Sequence, residues 1–223
     1  MCRILCVHGR AEFDIAEQLK AFADIAENSR EYQGHGWGYS CRRDDKWFHY
    51  HDISPIWEDP TAHLGRTTLL IAHARSAFRD EGIAVENNMP FYDADNVFVF
   101  NGELRGVRIK ADGRIGAEKI FNFVKRFNKG DMQAALTRGT DVIHKRSRYV
   151  RAMNIIMASP QGIHVASSFG EDPEYFQMSV AQTNERLTIC SAPLARCGVW
   201  ADSSWLTFPN HHVERYERWS PRQ

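Results

Sequence analysis

The first residue able to do chemistry is Cys2, which directly follows the initiator methionine. Removal of Met1 in front of a small residue would leave one residue with both a thiol and a free α-amine. An α-amine with an ordinary pKa of about 7.7 to 8.0 can take the proton of a thiol and later return it to a leaving amine. Cys2 is therefore a candidate nucleophile that carries its own base. A small residue that only begins a strand is the alternative interpretation.

A second candidate is the pair Asn101-Gly102, at which the apolar run ending in Phe100 stops. Asn-Gly is also the strongest short hairpin signal, so a plain turn is one interpretation. The other is an oxyanion hole. In that interpretation the Asn101 amide and the Gly102 backbone N–H bind the charged oxygen that forms when a thiolate attacks an amide.

A third candidate is Arg75, which follows a run with the apolar pattern of a buried strand, 68–74. A guanidinium at the end of a strand can bind a carboxylate through two parallel hydrogen bonds. Such a contact would fix an amino-acid substrate by its α-carboxylate. A surface salt bridge is the alternative.

The elements that must position these residues follow from the apolar periodicity. The pattern predicts helices over 13–26, over 116–128 and after an N-cap at Asp131. It predicts strands over 3–7, 68–74, 97–100, 152–158, 162–168, 177–181 and 187–191, and a hairpin within 37–52. Helices grouped between blocks of strands indicate an α+β fold with mainly antiparallel sheets. No linker or repeat divides the chain, so we expect one domain over 1–223.

Charge and hydropathy exclude several classes of function. Lys plus Arg and Asp plus Glu are 28 each, so the chain lacks the basic excess that a nucleic-acid partner requires. The short basic run 145–148 is assigned no function. No apolar stretch reaches the roughly 18 to 20 residues that span a bilayer, and the first residues do not form a signal peptide. We therefore expect a cytoplasmic protein with no nucleic-acid or membrane partner.

Cysteines and histidines give no sign of a cofactor. The five cysteines include no Cys-x-x-Cys pair, and an odd number favours reduced thiols. Among ten histidines, His49-x-His51 and His211-His212 could supply two metal ligands each, but spacing marks no third. No glycine-rich loop opens a helix. We expect no metal and no cofactor.

Several short motifs occur in one order along the chain. They are Met1-Cys2-Arg3-Ile4-Leu5, Gly36-Trp37-Gly38, His73-x-Arg75, Glu86-Asn87-x-x-Pro90-Phe91, Asn101-Gly102, and Ser191-Ala192-Pro193-Leu194 followed by Trp200 or Trp205 and a late strand around Val213. Together they resemble the class II glutamine amidotransferases. The similarity is strongest to the small stand-alone branch that includes the γ-glutamyl hydrolase of ergothioneine synthesis.

The resemblance implies a fold and a set of roles. The fold would be a four-layer αββα sandwich of two mainly antiparallel sheets, of the N-terminal-nucleophile hydrolase type. Cys2 would form a thioester with the γ-carbonyl group of glutamine, and Asn101 and Gly102 would form the oxyanion hole. Arg75, Trp37 and Gly38 would bind the substrate. The ammonia released would pass to a separate synthase as partner.

The chain departs from the family pattern around the site. His35 replaces an Asp, Phe78 a Thr, Met89 and Phe100 each a His, and Gly116 replaces the Asp that binds the substrate α-ammonium. Asp112, just upstream, is a candidate substitute. These departures keep two alternatives open. One is a stand-alone hydrolase of another γ-glutamyl amide, and the other is an inactive binding or regulatory subunit that retains Met1.

Overall fold

The computed structural model describes residues 1–59, 65–194 and 204–218. The strands are β1 (Arg3–Asp14), β2 (Trp37–Arg43), β3 (Lys46–Asp52), β4 (Arg66–Ala74), β5 (Phe91–Tyr92), β6 (Val97–Arg105), β7 (Tyr149–Ser159), β8 (Gly162–Ser167), β9 (Ser179–Gln182), β10 (Arg186–Cys190), β11 (Leu206–Thr207) and β12 (His212–Tyr216). The helices are α1 (Ile15–Glu27), α2 (Gly116–Lys125), α3 (Met132–Lys145) and α4 (Pro173–Phe176). The chain groups into two compact units, Met1–Pro90 with Met178–Phe208, and Phe91–Gln177 with Pro209–Arg218.

The first unit is built on a sheet with the strand order β11-β9-β10-β1-β4-β2-β3. Every pairing in it is antiparallel, and β1 is hydrogen-bonded on both sides, to β10 and to β4. One face of this sheet is apolar and packs with α1 through Leu19, Phe22 and Ala26. The start of α1 is fixed by Asp14, whose carboxylate accepts the N–H of Glu17 at 3.1 Å.

The second unit contains an antiparallel sheet with the order β12-β8-β7-β6-β5. Its helix α3 lies against α2, β8 and β12. Gly139 permits the close approach of α3 to α2, because a Cβ there would lie 2.9 Å from a methyl carbon of Val124. Asp131 caps α3 by accepting the N–H of Ala134 at 3.0 Å.

The structure confirms the predicted α+β fold with two antiparallel sheets. The predicted helices, the hairpin of β2 and β3, the late strand and the Asp131 cap are also present. The first helix begins two residues later than predicted, because Phe13 still pairs with Thr67 in β4. In the part of the chain that is described, no helix is long and apolar enough to cross a membrane. The single domain over 1–223 stays a prediction.

One local prediction was wrong. The strand β6 does not stop at Asn101 but continues through Gly102 to Arg105, and the plain-turn interpretation of Asn-Gly fails with it. The reason is long-range pairing. Strand β7 runs alongside the segment, with Asn101 opposite Asn154 and Gly102 opposite Met153. The ladder overrides the local turn preference.

Replacement of Asp131 by Ala should lower the free energy of unfolding by about 1 kcal/mol, because the first turn of α3 loses its cap. Chemical denaturation measures the change. Asp141→Ala is the matched control, since Asp141 is exposed within the same helix. Equal stability of the Asp131 variant and the control would show that the cap contributes nothing.

Candidate active site

The first unit brings Cys2 and Arg75 to one edge of its sheet. Strand β1 begins at Arg3 opposite Ala74, the last residue of β4, and β2 begins with Trp37 opposite the same residue. Cys2 and Arg75 therefore occupy the next position along two neighbouring strands. Side chains alternate between the two faces of a sheet, so both lie on the face opposite α1.

The thiol of Cys2 is almost buried, with 9% of the residue exposed. Its Sγ accepts the N–H of Ser76 at 3.4 Å and lies 3.6 Å from the Ser76 carbonyl oxygen. Burial raises the pKa of the thiol, and the Glu31 carboxylate raises it further. The positive charge of the N-terminus, the Ser76 N–H and the Arg75 guanidinium all act to lower it.

The N-terminal ammonium of Met1 distinguishes Cys2 from the other described cysteines. Cys6, Cys41 and Cys190 are free thiols within the strands of the same sheet, and none of them is exposed. Burial alone raises the pKa of Cys6, and burial is the main cause that raises the pKa of Cys190 to about 11. Burial also raises the pKa of Cys41, and a guanidinium opposes the effect of burial at two of these thiols, Arg43 at Cys41 and Arg3 at Cys190. Only at Cys2, among the described cysteines, does the ammonium of Met1 add to the effect of a guanidinium. Cys197 lies outside the described residues.

Arg75 is buried beside this thiol. Its Nη2 donates to the carbonyl oxygen of Gly82 at 2.8 Å, and its Nη1 donates to Oδ1 of Asn88 at 3.3 Å. Only 6% of the residue is exposed, and it forms no ion pair with a carboxylate of the described residues. The surface salt-bridge interpretation is therefore wrong. A buried guanidinium held by neutral oxygens can still bind a carboxylate with its remaining N–H groups.

Glycine at position 36 leaves the space in which the Asn88 side chain contacts Arg75. Its φ of +101° favours glycine, and a Cβ there would lie 2.1 Å from Nδ2 of Asn88. Because that space is empty, Asn88 can donate to the carbonyl oxygen of Asp52 at 2.7 Å while it holds Arg75. The Gly36 carbonyl oxygen also accepts the backbone N–H of Arg75 at 2.9 Å.

His35 stands where the family pattern has an Asp. Its Nδ1 accepts the N–H of Ala77 at 2.9 Å, and its backbone N–H donates to the Arg75 carbonyl oxygen at 3.1 Å. The imidazole therefore ties the turn before β2 to the segment after β4. Its role in the structure is to fix the backbone on which Arg75 sits.

The predicted substrate residues of β2 have different surroundings. The Trp37 ring is completely buried in the core on the α1 side, where its Nε1 donates to Asp59 at 3.2 Å. Any substrate contact of Trp37 would therefore have to come from its backbone. A Cβ on Gly38 would lie 2.7 Å from the carbonyl oxygens of Met89 and Tyr50, so only glycine fits there.

No role is predicted from the sequence for His73, which lies two residues before Arg75 on β4. It is completely buried between Ile4 and Gly38 on the neighbouring strands, on the same face as Arg75. Neither ring nitrogen has a hydrogen-bond partner among the described residues. Burial, and then Arg75 and His51, lower its pKa to about 3, so the ring is neutral. Only its place in the His-x-Arg motif could have drawn attention to it.

The second unit holds the predicted oxyanion residues on β6. Asn101 is completely buried, and neither its amide nitrogen nor its amide oxygen has a partner among the described residues. Asn154, directly opposite, is by contrast satisfied: its Nδ2 donates to the Phe176 carbonyl oxygen at 2.6 Å, and its Oδ1 accepts the Ser167 hydroxyl at 2.8 Å. Buried amides without partners are rare, so Asn101 has donor and acceptor capacity that the described residues do not use.

The N–H of Gly102 points away from β7. Met153, the residue opposite Gly102 on β7, directs both its backbone N–H and its carbonyl oxygen away from β6, where they form hydrogen bonds with Ser168. In an antiparallel ladder such a residue forms no hydrogen bonds with the opposite strand. The β5 pairing covers Val97 and Phe98 but not Gly102. Consecutive residues of β6 thus carry an unpartnered amide and an outward N–H, the two donors that an oxyanion needs.

The start of α2 lacks an available carboxylate. Gly116 has none, and Glu118 is held by Arg114 through Nε at 2.9 Å and Nη2 at 2.6 Å. These hydrogen bonds lower the pKa of Glu118. The proposed substitute, Asp112, is exposed. The start of α2 therefore presents no carboxylate that is available to an ammonium group.

The two histidines on β3 each form a hydrogen bond with a nearby protein group. His49 shares a hydrogen bond with Ser40 at 2.8 Å, and His51 shares one with the carbonyl oxygen of Pro90 at 3.0 Å. Within 1–59, 65–194 and 204–218, no group of three or more His, Cys, Asp or Glu side chains could hold a metal ion. Trp200, one of the two tryptophans in the C-terminal motif, lies outside the described residues.

Comparison with known proteins shows the fold. No protein-family model and no curated protein matches the chain. Solved structures do match. A glutamine phosphoribosylpyrophosphate amidotransferase from B. subtilis matches with a TM-score of 0.68 and 14% identity over 95% of this chain, which spans 46% of that protein.

Two further solved structures match over almost their whole length. A glutamine aminotransferase class-II domain protein from Silicibacter pomeroyi has a TM-score of 0.63 and 16% identity, over 95% of this chain and 93% of the other. A predicted glutamine amidotransferase from Pseudomonas aeruginosa has a TM-score of 0.59 and 13% identity, over 98% of each chain. This protein therefore has the fold of a class II glutamine amidotransferase domain.

Replacement of His73 by Leu should flatten the dependence of stability on pH. An unfolded histidine titrates near pH 6.5, whereas folded His73 has a pKa of about 3. Between these values the unfolded state binds more protons, so stability falls as the pH falls. From pH 7 to pH 5 the wild-type protein should lose about 1 to 2 kcal/mol more than the variant in urea denaturation. Parallel losses would contradict a neutral buried His73.

Proposed function

We propose that this protein is an N-terminal cysteine amidase of the class II glutamine amidotransferase type. The observation that carries the proposal is the pairing of two buried groups at one sheet edge. The Cys2 thiol and the Arg75 guanidinium are neighbours there, and Arg75 has no carboxylate partner among the described residues. A nucleophile beside an anchor for a carboxylate suits an amide substrate that is also an amino acid.

The reaction requires removal of Met1. The α-amine of Cys2 then takes the thiol proton, and the thiolate attacks the carboxamide carbon of the substrate. The negative oxygen of the tetrahedral intermediate is assigned to the Asn101 amide and the Gly102 N–H. The C–N bond breaks, the amine returns the proton to the leaving ammonia, and a thioester remains. Water attacks the thioester, which yields the free carboxylate and restores the thiol.

Arg75 has two roles in this proposal. Its N–H groups bind the α-carboxylate of the substrate, and its positive charge favours the thiolate of Cys2. Gly82 and Asn88 hold the guanidinium in place through neutral oxygens, so its charge stays available. The backbones of Trp37 and Gly38 are assigned to the same substrate pocket.

With glutamine as the substrate, the products are glutamate and ammonia, and the ammonia would pass to a separate synthase. One observation favours a second candidate, a stand-alone hydrolase of another γ-glutamyl amide. Gly116 carries no carboxylate and Glu118 is held by Arg114, so the family's ammonium site is altered. Turnover of glutamine compared with a panel of γ-glutamyl amides separates the two. Glutamine as the best substrate would exclude the second candidate.

Incubation with the glutamine analogue diazo-oxo-norleucine tests the proposal. Intact-mass measurement should show loss of Met1 and one covalent adduct, which peptide mapping places on Cys2. Cys2→Ala should form no adduct, whereas Cys6→Ala should react as the wild type does, because Cys6 is buried within the sheet. A chain that retains Met1 after expression in bacteria and forms no adduct would instead support an inactive subunit.

Replacement of Arg75 by Gln should raise the KM for glutamine by about 30-fold or more, because the substrate carboxylate loses a charge-assisted pair of hydrogen bonds. Arg79→Gln is the control, since Arg79 lies close in sequence but contacts Phe78 in the 3-10 turn. Steady-state ammonia release measures both variants. An unchanged KM for the Arg75 variant would exclude its role as the carboxylate anchor.

A further inference from the structure

The N-terminal ammonium of Met1 is bound in a polar pocket formed by the segment after α1. It donates to the carboxylate of Glu31, and the two form an ion pair. The Met1 carbonyl oxygen accepts Nε2 of Gln33 at 2.6 Å. The methionine is therefore held at both of its backbone polar groups, as a bound amino acid would be.

Gln33, which contacts Met1 in this pocket, is completely buried. Its Nε2 also contacts the Glu31 carbonyl oxygen at 2.7 Å and the Ser29 hydroxyl at 3.3 Å. The same hydroxyl accepts Nε of Arg3, the first residue of β1, at 3.2 Å. These contacts connect the backbone of Glu31 to the strand that follows Cys2.

Glu31 contacts the nitrogen of Met1, the residue before Cys2, and Arg75 occupies the position beside Cys2 on the neighbouring strand. Both act on the pKa of the Cys2 thiol, which Arg75 lowers and Glu31 raises. An amino-acid substrate carries a carboxylate and an ammonium on the same carbon. A cation and an anion close to one nucleophile match that charge pattern.

We propose that Glu31 binds the α-ammonium of the substrate and that Met1 occupies this subsite until it is removed. The inference rests on the proposed amidase function and adds a residue that would position its amino-acid substrate. Glu31 then takes over the role of the carboxylate that is absent at Gly116. Arg75 receives the α-carboxylate of the same substrate.

The covalent geometry of Met1 supports this assignment. The path of bonds from the Met1 nitrogen to the Cys2 sulfur is only slightly longer than the path from the α-nitrogen of glutamine to the sulfur in the thioester. An ammonium at the position of Met1 nitrogen therefore lies within reach of a glutamine whose amide carbon is at the thiol. Trimming of Met1 removes one ammonium from the Glu31 carboxylate and makes room for another.

Substrate binding would also favour the nucleophile. The Glu31 carboxylate is among the groups that raise the pKa of the Cys2 thiol. An ammonium bound to Glu31 offsets this negative charge, so thiolate formation becomes easier when an amino acid occupies the pocket. A substrate without an α-ammonium lacks this effect.

Binding of L-glutamate, the expected product, tests the subsite without turnover. Two fusion proteins that are cleaved to begin at Met1 or at Cys2 provide the occupied and the vacated forms. Calorimetry should show binding to the form that begins at Cys2 and binding weaker by at least about tenfold to the form that begins at Met1. Glu31→Gln should weaken binding by at least about tenfold, and the exposed control Glu27→Gln by less than about twofold. Equal binding by the Glu31 variant and the control would overturn the proposal.

Kinetics with glutamine and with its analogue that lacks the α-amine separates a substrate contact from a contact to the Cys2 amine. Glu31→Gln should raise the KM for glutamine by about tenfold and leave the analogue within about twofold. Equal losses for both substrates would assign Glu31 to the nucleophile and overturn the inference. If glutamate binding depends on Glu31 but the protein turns over no amide, the Glu31 subsite is supported and the amidase function is refuted.

Discussion

The position of the candidate site depends on the pairing of β1 within the sheet. A chain terminus normally frays at the surface, but β1 is hydrogen-bonded to β10 on one side and β4 on the other. This double pairing holds Cys2 inside the protein and at a fixed distance from the end of β4. A thiol and an α-amine on one residue can act as nucleophile and base only if that residue is held still, and the sheet supplies the constraint.

The charged groups at this end of the sheet act on the pKa of the Cys2 thiol. Burial opposes the thiolate of Cys2, whereas the Ser76 N–H and Arg75 favour it, as does the ammonium of Met1 until that residue is removed. Arg75 keeps its charge available because its described partners are the neutral oxygens of Gly82 and Asn88 rather than a carboxylate. The neutral His73 behind it adds no competing charge. In the proposed amidase, a small number of groups would therefore determine both the reactivity of the Cys2 thiol and the charge of the ligand that binds beside it.

Much of the fold was predictable from the sequence, because helices and strands show in apolar periodicity. The end of β6 could not be predicted, because Asn101-Gly102 has the sequence of a turn, whereas pairing with β7 extends the strand through these residues. The importance of Cys2 came from its position and from the order of the motifs. The pocket of Glu31 and the buried His73 could not be predicted, because their surroundings are formed by contacts between segments distant in sequence.

The central claim is that Cys2, once it is the first residue, forms a covalent acyl intermediate. Rapid acid quenching of the reaction with glutamine, followed by intact-mass and peptide analysis, tests it most directly. We expect a transient thioester on the N-terminal cysteine, with the added mass of a γ-glutamyl group, that forms and decays at rates compatible with glutamate release. Glutamate release at the same rate from a protein in which Cys2 is replaced by Ala would contradict the account.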